Sequence, residues 1–371
     1  MRLSAIGFPG AGGSRDREID ALKGFAILLV VFGHCLELAD AGVFVPNASL
    51  RHHLFTMIYS FHMQLFIFLS GYVMFKRSVR VGKSFVRLMV PFFSWLFVTF
   101  IITSHALSRF GDYMWKGAYL MENALWFLWA LFFCYMLLIP VQYVGKRWKY
   151  GEEVGFLVVF LLINALQIHA FFGLRTYTFG LVQVQYFFGF FAIGYLVKKH
   201  RSTIDRMGRS VKISILTASC VLFIALFFAT YYRLRNVMIP LSLADLYRTP
   251  MIYLVRYALP LLAILASFAL VKAVRALKGE ALIATFAWLG LATLDIYASH
   301  GLLIHVSFGA GWIRVMSGFL AALVLGLALT YVVLRNYKPL SYTFLGRSYE
   351  TGPRYRLWRE PDKTEALAAI D

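Results

Sequence analysis

Charge and cysteine are what this chain has least of. Charged residues make up 15% of its 371 positions, where soluble globular chains carry about 25%. Acids are scarcest, with 18 Asp and Glu against 37 Lys and Arg and a net charge of +19. Such a surplus suits a nucleic-acid binder, but the positives sit in short connections between apolar runs, so no nucleic-acid partner is expected. Only three cysteines occur: Cys35, Cys134 and Cys220. All lie inside apolar segments, without the spacing of a zinc site or a disulfide framework, and read as small core residues. Residues 1–14 lack the apolar stretch of a secretion signal, so no cleavable leader is expected. No internal repeat is visible, which speaks against the inverted-repeat transporters.

What is present is apolar surface. The hydrophobic share is 60% and the mean hydropathy +0.69, the composition of an all-α polytopic membrane bundle. Ten spans of the length a bilayer needs are expected at 24–40, 54–75, 86–106, 122–144, 154–173, 178–197, 211–231, 251–273, 283–304 and 316–335. Lys and Arg concentrate in alternate connections: Lys76, Arg77, Arg80 and Lys83 in one, and six from Lys198 to Lys212 in another. The intervening connections are poorer, with Arg51 alone in the first and Arg314 alone in the last. By the positive-inside bias both termini are cytoplasmic. Residues 1–23 then form a cytoplasmic lead, 24–336 the membrane domain, and 337–371 a polar cytoplasmic tail, partly disordered.

The first span carries the most pointed feature. Lys23 and His34 are eleven residues apart, roughly 16 Å along a helix. A cation at one membrane face is thus followed by a titratable group beyond the midplane. An ionisable residue at that depth is costly and by default functional; a histidine bonded between helices as packing glue is the plainer alternative. On the second span, which runs back, His62 reaches a comparable depth. It is read either as a catalytic partner or as the group that orients the first ring.

The stretch D-A-L-K-G-F-A-I-L-L-V-V-F-G-H (20–34) resembles the opening of membrane acyltransferase family 3, a basic residue followed after ten others by His. Lys in place of the commoner Arg is similar to the fucose-O-acetylase-like branch, which includes nodulation-factor acetyltransferases. S-F-H-M-Q-L-F-I-F-L-S-G-Y (60–72), A-L-W-F-L-W-A-L-F (124–132) and L-D-I-Y-A-S-H (294–300) match as well, so the resemblance spans most of 15–305. It implies transfer of an acyl group, acetyl first among candidates, from cytoplasmic acyl-CoA to a hydroxyl of a glycan or lipid-linked sugar. It also implies a bacterial inner membrane.

The remaining candidates each carry two readings. Asp20 caps the first helix, or pairs with Lys23 to shape the inner mouth. Glu37, three residues beyond His34 and on the same face, fixes the imidazole's tautomer, or is simply an acid at the wet end of the helix. Lys83 and Arg87 serve the positive-inside bias and anionic membrane lipid, while the resemblance implies that they hold donor phosphates. Ser70 and Gly71 allow close helix packing, or let an acyl–pantetheine arm pass. Trp126 belongs to an interfacial aromatic belt, or stacks on a sugar. Asp295, in mid-span, must face the interior and find a donor there, or meets a substrate hydroxyl. The resemblance around Tyr297 and His300 adds both to the substrate side. No metal is expected. The rival class is a proton-coupled transporter or flippase, which also uses intramembrane His, Glu and Asp.

Overall fold

The computed structural model describes residues 16–39, 50–103, 107–117, 125–171, 180–234 and 250–347. Among them there is no strand. The helices are α1 (Arg17–Ala39), α2 (Leu50–Tyr59), α3 (His62–Met74), α4 (Val81–Thr103), α5 (Phe110–Trp115), α6 (Trp126–Gly145), α7 (Gly151–Phe171) and α8 (Leu181–Lys199). They continue as α9 (Arg201–Arg206), α10 (Arg209–Leu234), α11 (Pro250–Ala276), α12 (Glu280–Leu291), α13 (Thr293–Leu303), α14 (Gly311–Ala328) and α15 (Lys338–Leu345). Long apolar segments fold this way because lipid offers backbone groups no partners, and a helix satisfies them within the segment.

Among the described residues, eight helices are long and apolar enough to cross a membrane, or nine if the bent pair α12–α13 counts as one. Helix α7 stands where the fifth expected span was read. Two of the expected straight spans are interrupted. The second is α2 followed by α3, with a turn at Ser60–Phe61. The ninth bends by 75° between α12 and α13. There the Thr293 hydroxyl bonds back to the Gly290 carbonyl at 2.6 Å, a local bond that competes with the helical ladder.

Helix α1 is the central post and packs on α2, α3, α11, α12, α13 and α14. Two crossings are unusually close, each made by a reciprocal glycine pair. A Cβ on Gly24 would lie 1.9 Å from the Phe286 carbonyl oxygen, and one on Gly290 1.9 Å from that of Asp20. Between α3 and α8, a Cβ on Gly71 would meet the Phe191 carbonyl at 2.0 Å, and one on Gly194 that of Phe68 at 2.0 Å. Small residues permit such backbone approach, and membrane helices gain their packing from it. On the periphery α10 exposes Val221, Leu222, Ile224 and Phe228. A chain surrounded by water rarely exposes so much apolar surface; lipid accommodates it.

Beyond the tenth expected span, α15 folds back on α4. Trp95 Nε1–H donates to the Phe344 carbonyl at 3.0 Å, and Leu345 is buried. The described part of the expected tail, residues 337–347, thus folds back on the bundle through α15, and residues 348–371 lie outside the described set.

Candidate active site

Helix α1 is unbroken from Arg17 to Ala39, so it carries Lys23 near one end of the bundle and His34 near the other. Its first turn is capped by Asp16, whose Oδ1 accepts the Glu18 N–H at 3.2 Å. That cap overturns the capping role expected for Asp20. Asp20 is buried, and the Lys23 ammonium donates to its Oδ1 at 3.3 Å. Other charges gather at this end: Arg201 donates to Asp16 at 2.6 Å and to the Tyr72 hydroxyl at 2.7 Å, and Arg275 pairs with Glu18. The Asp16 carboxylate raises the Arg201 pKa, so that guanidinium stays charged.

Towards the other end lies a three-membered cluster. His34 Nδ1 is 3.1 Å from Glu37 Oε2. A carboxylate only accepts hydrogen bonds, so Nδ1 carries the hydrogen and Nε2 of the neutral ring keeps the free lone pair. The Tyr59 hydroxyl donates to the same Glu37 oxygen at 2.9 Å and sits 3.0 Å from His34 Nδ1. Gly33 makes room for this ring, since a Cβ there would lie 3.0 Å from it. Glu37 is therefore joined to the imidazole. Its side chain is still 43% accessible, against 24% for His34, so the cluster opens to the outside of the bundle.

Two further histidines, His300 and His62, lie near it. His300 is fully buried, and its ring centroid is 5.1 Å from that of His34. Its Nδ1–H donates to the Tyr297 carbonyl at 2.5 Å, while its Nε2 has no hydrogen-bond partner among the described residues. His62 is also buried, and its Nδ1–H donates to the Ile58 carbonyl at 2.8 Å. Phe61 N–H donates to the same carbonyl across the α2–α3 turn. The Tyr59 ring lies 4.8 Å from that of His62 and 5.9 Å from that of His34, and the hydrogen bond described at His34 Nδ1 is with Glu37. The Phe127 N–H donates to the Tyr297 hydroxyl at 3.3 Å. Trp126 stacks obliquely on Phe187 of α8 at 5.0 Å. Stretches far apart in sequence, on α1, α2–α3, α6 and α13, thus converge on one spot.

Asp295 finds its donors. It accepts from Arg335, at the end of the π-wound turn following α14, and from Arg347 at 3.3 Å, just beyond α15. Asp295 and Arg335 are both buried, so this is an interior ion pair and not an open hydroxyl-binding carboxylate. Ser70 Oγ–H bonds back to the Phe66 carbonyl at 2.9 Å, and Gly71 packs against the α8 backbone at Phe191. Lys83 and Arg87 stand exposed on the first turns of α4. Gly346, left-handed at φ +58°, presses on the Arg87 backbone. Among the described residues no group of three His, Cys, Asp or Glu could hold a metal.

Tyr59, Arg335, Arg347 and Asp16 were not singled out from the sequence. Tyr59 had a faint signal, an aromatic hydroxyl only three residues before His62.

A polytopic helical bundle thus holds a carboxylate-bound imidazole among tyrosine and histidine side chains. A family model described as an acyltransferase domain matches residues 16–335. The chain belongs to this family. It is 32% identical over 136 residues to the nodulation protein NolL of Sinorhizobium fredii, an alignment covering 33% of this chain and 36% of that protein. NolL of Mesorhizobium japonicum is 29% identical over 140 residues, 35% of this chain and 37% of that protein. The chain therefore spans about a third of the length of these relatives. No solved structure matches it significantly.

Proposed function

We propose that this enzyme is an O-acyltransferase that moves an acyl group, in the first place acetyl, from cytoplasmic acyl-CoA to a hydroxyl of a glycan or lipid-linked sugar. The observation that carries the reading is the His34–Glu37–Tyr59 cluster, which leaves His34 Nε2 free as a base. His34 Nε2 takes the proton of the acceptor hydroxyl as its oxygen attacks the thioester carbonyl. The carbon–sulfur bond then breaks, and the coenzyme A thiolate recovers that proton from the imidazolium. Glu37, ionised beside Nδ1, stabilises the imidazolium that exists between the two transfers. Direct transfer needs no acyl-histidine intermediate.

In this reading the N-terminal end of α1 faces the cytoplasm of a bacterial cell, as the distribution of Lys and Arg favours. Lys83 and Arg87 then meet the donor phosphates at the inner mouth, and the Lys23–Asp20 pair lines the route inward. The acceptor approaches from the opposite end, past the accessible side of His34, where Trp126 and Tyr297 contribute aromatic surface. The resemblance of the 20–34 stretch to the fucose-O-acetylase-like branch supports a saccharide acceptor.

The test is transfer from radiolabelled acetyl-CoA in membranes holding equal amounts of wild type or His34→Ala. Label should enter a glycan or glycolipid fraction with wild type and fall to background with the variant. Equal labelling by both would remove His34 from the chemistry.

A further inference from the structure

Helix α13 is eleven residues long, follows a 75° bend, and starts without a side-chain cap. It carries Tyr297 and His300, and the His300 ring lies 5.1 Å from that of His34. A helix this short has little stability of its own, so its place depends on what its side chains grip. Asp295, buried in its first turn, grips Arg335 and Arg347. Arg335 follows directly on the turn after α14, whereas Arg347 is delivered by a separate segment, residues 337–347. That segment is fastened to α4 at two points. Trp95 Nε1–H donates to the Phe344 carbonyl at 3.0 Å, and the two rings meet edge to face at 5.3 Å. Gly346, left-handed, sits against the Arg87 backbone. Its N–H donates to the Tyr342 carbonyl at 3.1 Å, and that of Arg347 to the Ser341 carbonyl at 3.2 Å. A left-handed glycine bonded in this way ends a helix and fixes the direction of the residue that follows, here towards Asp295 at 3.3 Å. All of this strap lies beyond residues 16–335, which the family model matches.

We propose that the 337–347 strap is a positioning element of the site: Arg347, acting through Asp295, holds α13 so that His300 stays packed beside His34. The assignment rests on the O-acyltransfer reading and adds to it a residue that acts from a distance. Arg347 is a positioning residue here. Without its guanidinium the start of α13 is held less firmly, and a displacement of about 1 Å at a reacting centre can cost as much as ~10²-fold in rate.

The experiment has two readouts on the full-length protein. The first, in lipid nanodiscs, is carbethoxylation of histidines by diethyl pyrocarbonate, mapped by mass spectrometry. His300 and His62 are both buried and should resist it in the wild type. In Arg347→Met, His300 should react about tenfold faster as local opening becomes easier, while His62 stays protected. Arg347→Lys keeps the charge and should restore part of the protection. The second readout is transfer from radiolabelled acetyl-CoA to the endogenous acceptor in native membranes holding equal amounts of each form. Arg347→Met should lower kcat about 10–100-fold with the KM for acetyl-CoA unchanged, and Arg347→Lys should recover part of it. In an Asp295→Asn background Arg347→Met should cost nothing further, since groups acting in one line are not additive. Unchanged protection of His300 in Arg347→Met, or exposure of His300 and His62 together, would overturn the proposal. So would a raised KM with unchanged kcat, or a full further loss in the Asp295→Asn background. A wild type without transfer would count against the acyltransfer reading, and the histidine footprint would still decide whether the strap holds α13.

Discussion

At the residue scale, the chemistry turns on which imidazole nitrogen is committed. Glu37 holds the Nδ1 hydrogen of His34 and leaves Nε2 to act. Glu37→Gln keeps a hydrogen-bonding group but removes the charge facing the imidazolium, so kcat should fall about 10–100-fold, up to the lower end of the ~10²–10⁴-fold span of acid–base contributions. The KM for acetyl-CoA should stay within twofold; a rise in KM with unchanged kcat would move Glu37 to donor binding. Tyr59→Phe removes one hydrogen bond to the carboxylate, worth about 0.5–1.5 kcal/mol in a typical case, and should slow transfer by roughly 2–10-fold. The His34–Glu37 contact was legible in the sequence because it is local, three residues along one helix. Tyr59 lies 25 residues from His34, and Arg335 lies 40 from Asp295; spacing within one helix carries no information about either. Asp295 could be predicted to seek a donor in the interior, but not which donor.

At the scale of elements, glycine and one buried ion pair set the geometry. Gly71 sits where α3 and α8 share backbone contact. Gly71→Val must push the helices apart or fail to pack, and overpacking of this kind costs about 1–3 kcal/mol or more. The expected outcome is a lower melting temperature in detergent, with less monodisperse protein on size-exclusion chromatography. An unchanged profile would mean the crossing is looser than described. Asp295→Ala would leave Arg335 buried without its carboxylate, a loss of about 3–5 kcal/mol. The double variant Asp295→Leu, Arg335→Met should regain stability if the pair is structural. Hydropathy located the helices but not the 75° bend. The bend arises from Gly290 meeting α1 and from the Thr293 hydroxyl, neither of which changes the apolar average.

At the scale of the whole molecule, the all-α membrane bundle was written in the composition, since 60% apolar residues in runs of span length permit little else. Convergence of the four motif stretches required the fold, because α1, α2–α3, α6 and α13 meet only in three dimensions. The proposed orientation, argued from the distribution of Lys and Arg, puts both termini in the cytoplasm. A reporter fused after Asp371 should therefore fluoresce as green fluorescent protein and be silent as alkaline phosphatase; the reverse would invert the proposed routes of donor and acceptor. In the proposed mechanism His34 performs the chemistry and does not bind the donor. Purified wild type and His34→Gln in nanodiscs, compared for acetyl-CoA binding by calorimetry and for acetyl transfer under saturating donor, separate the two. Kd values should lie within twofold of each other, with transfer reduced about 10²–10⁴-fold. Transfer at the wild-type rate by His34→Gln would remove His34 from the chemistry.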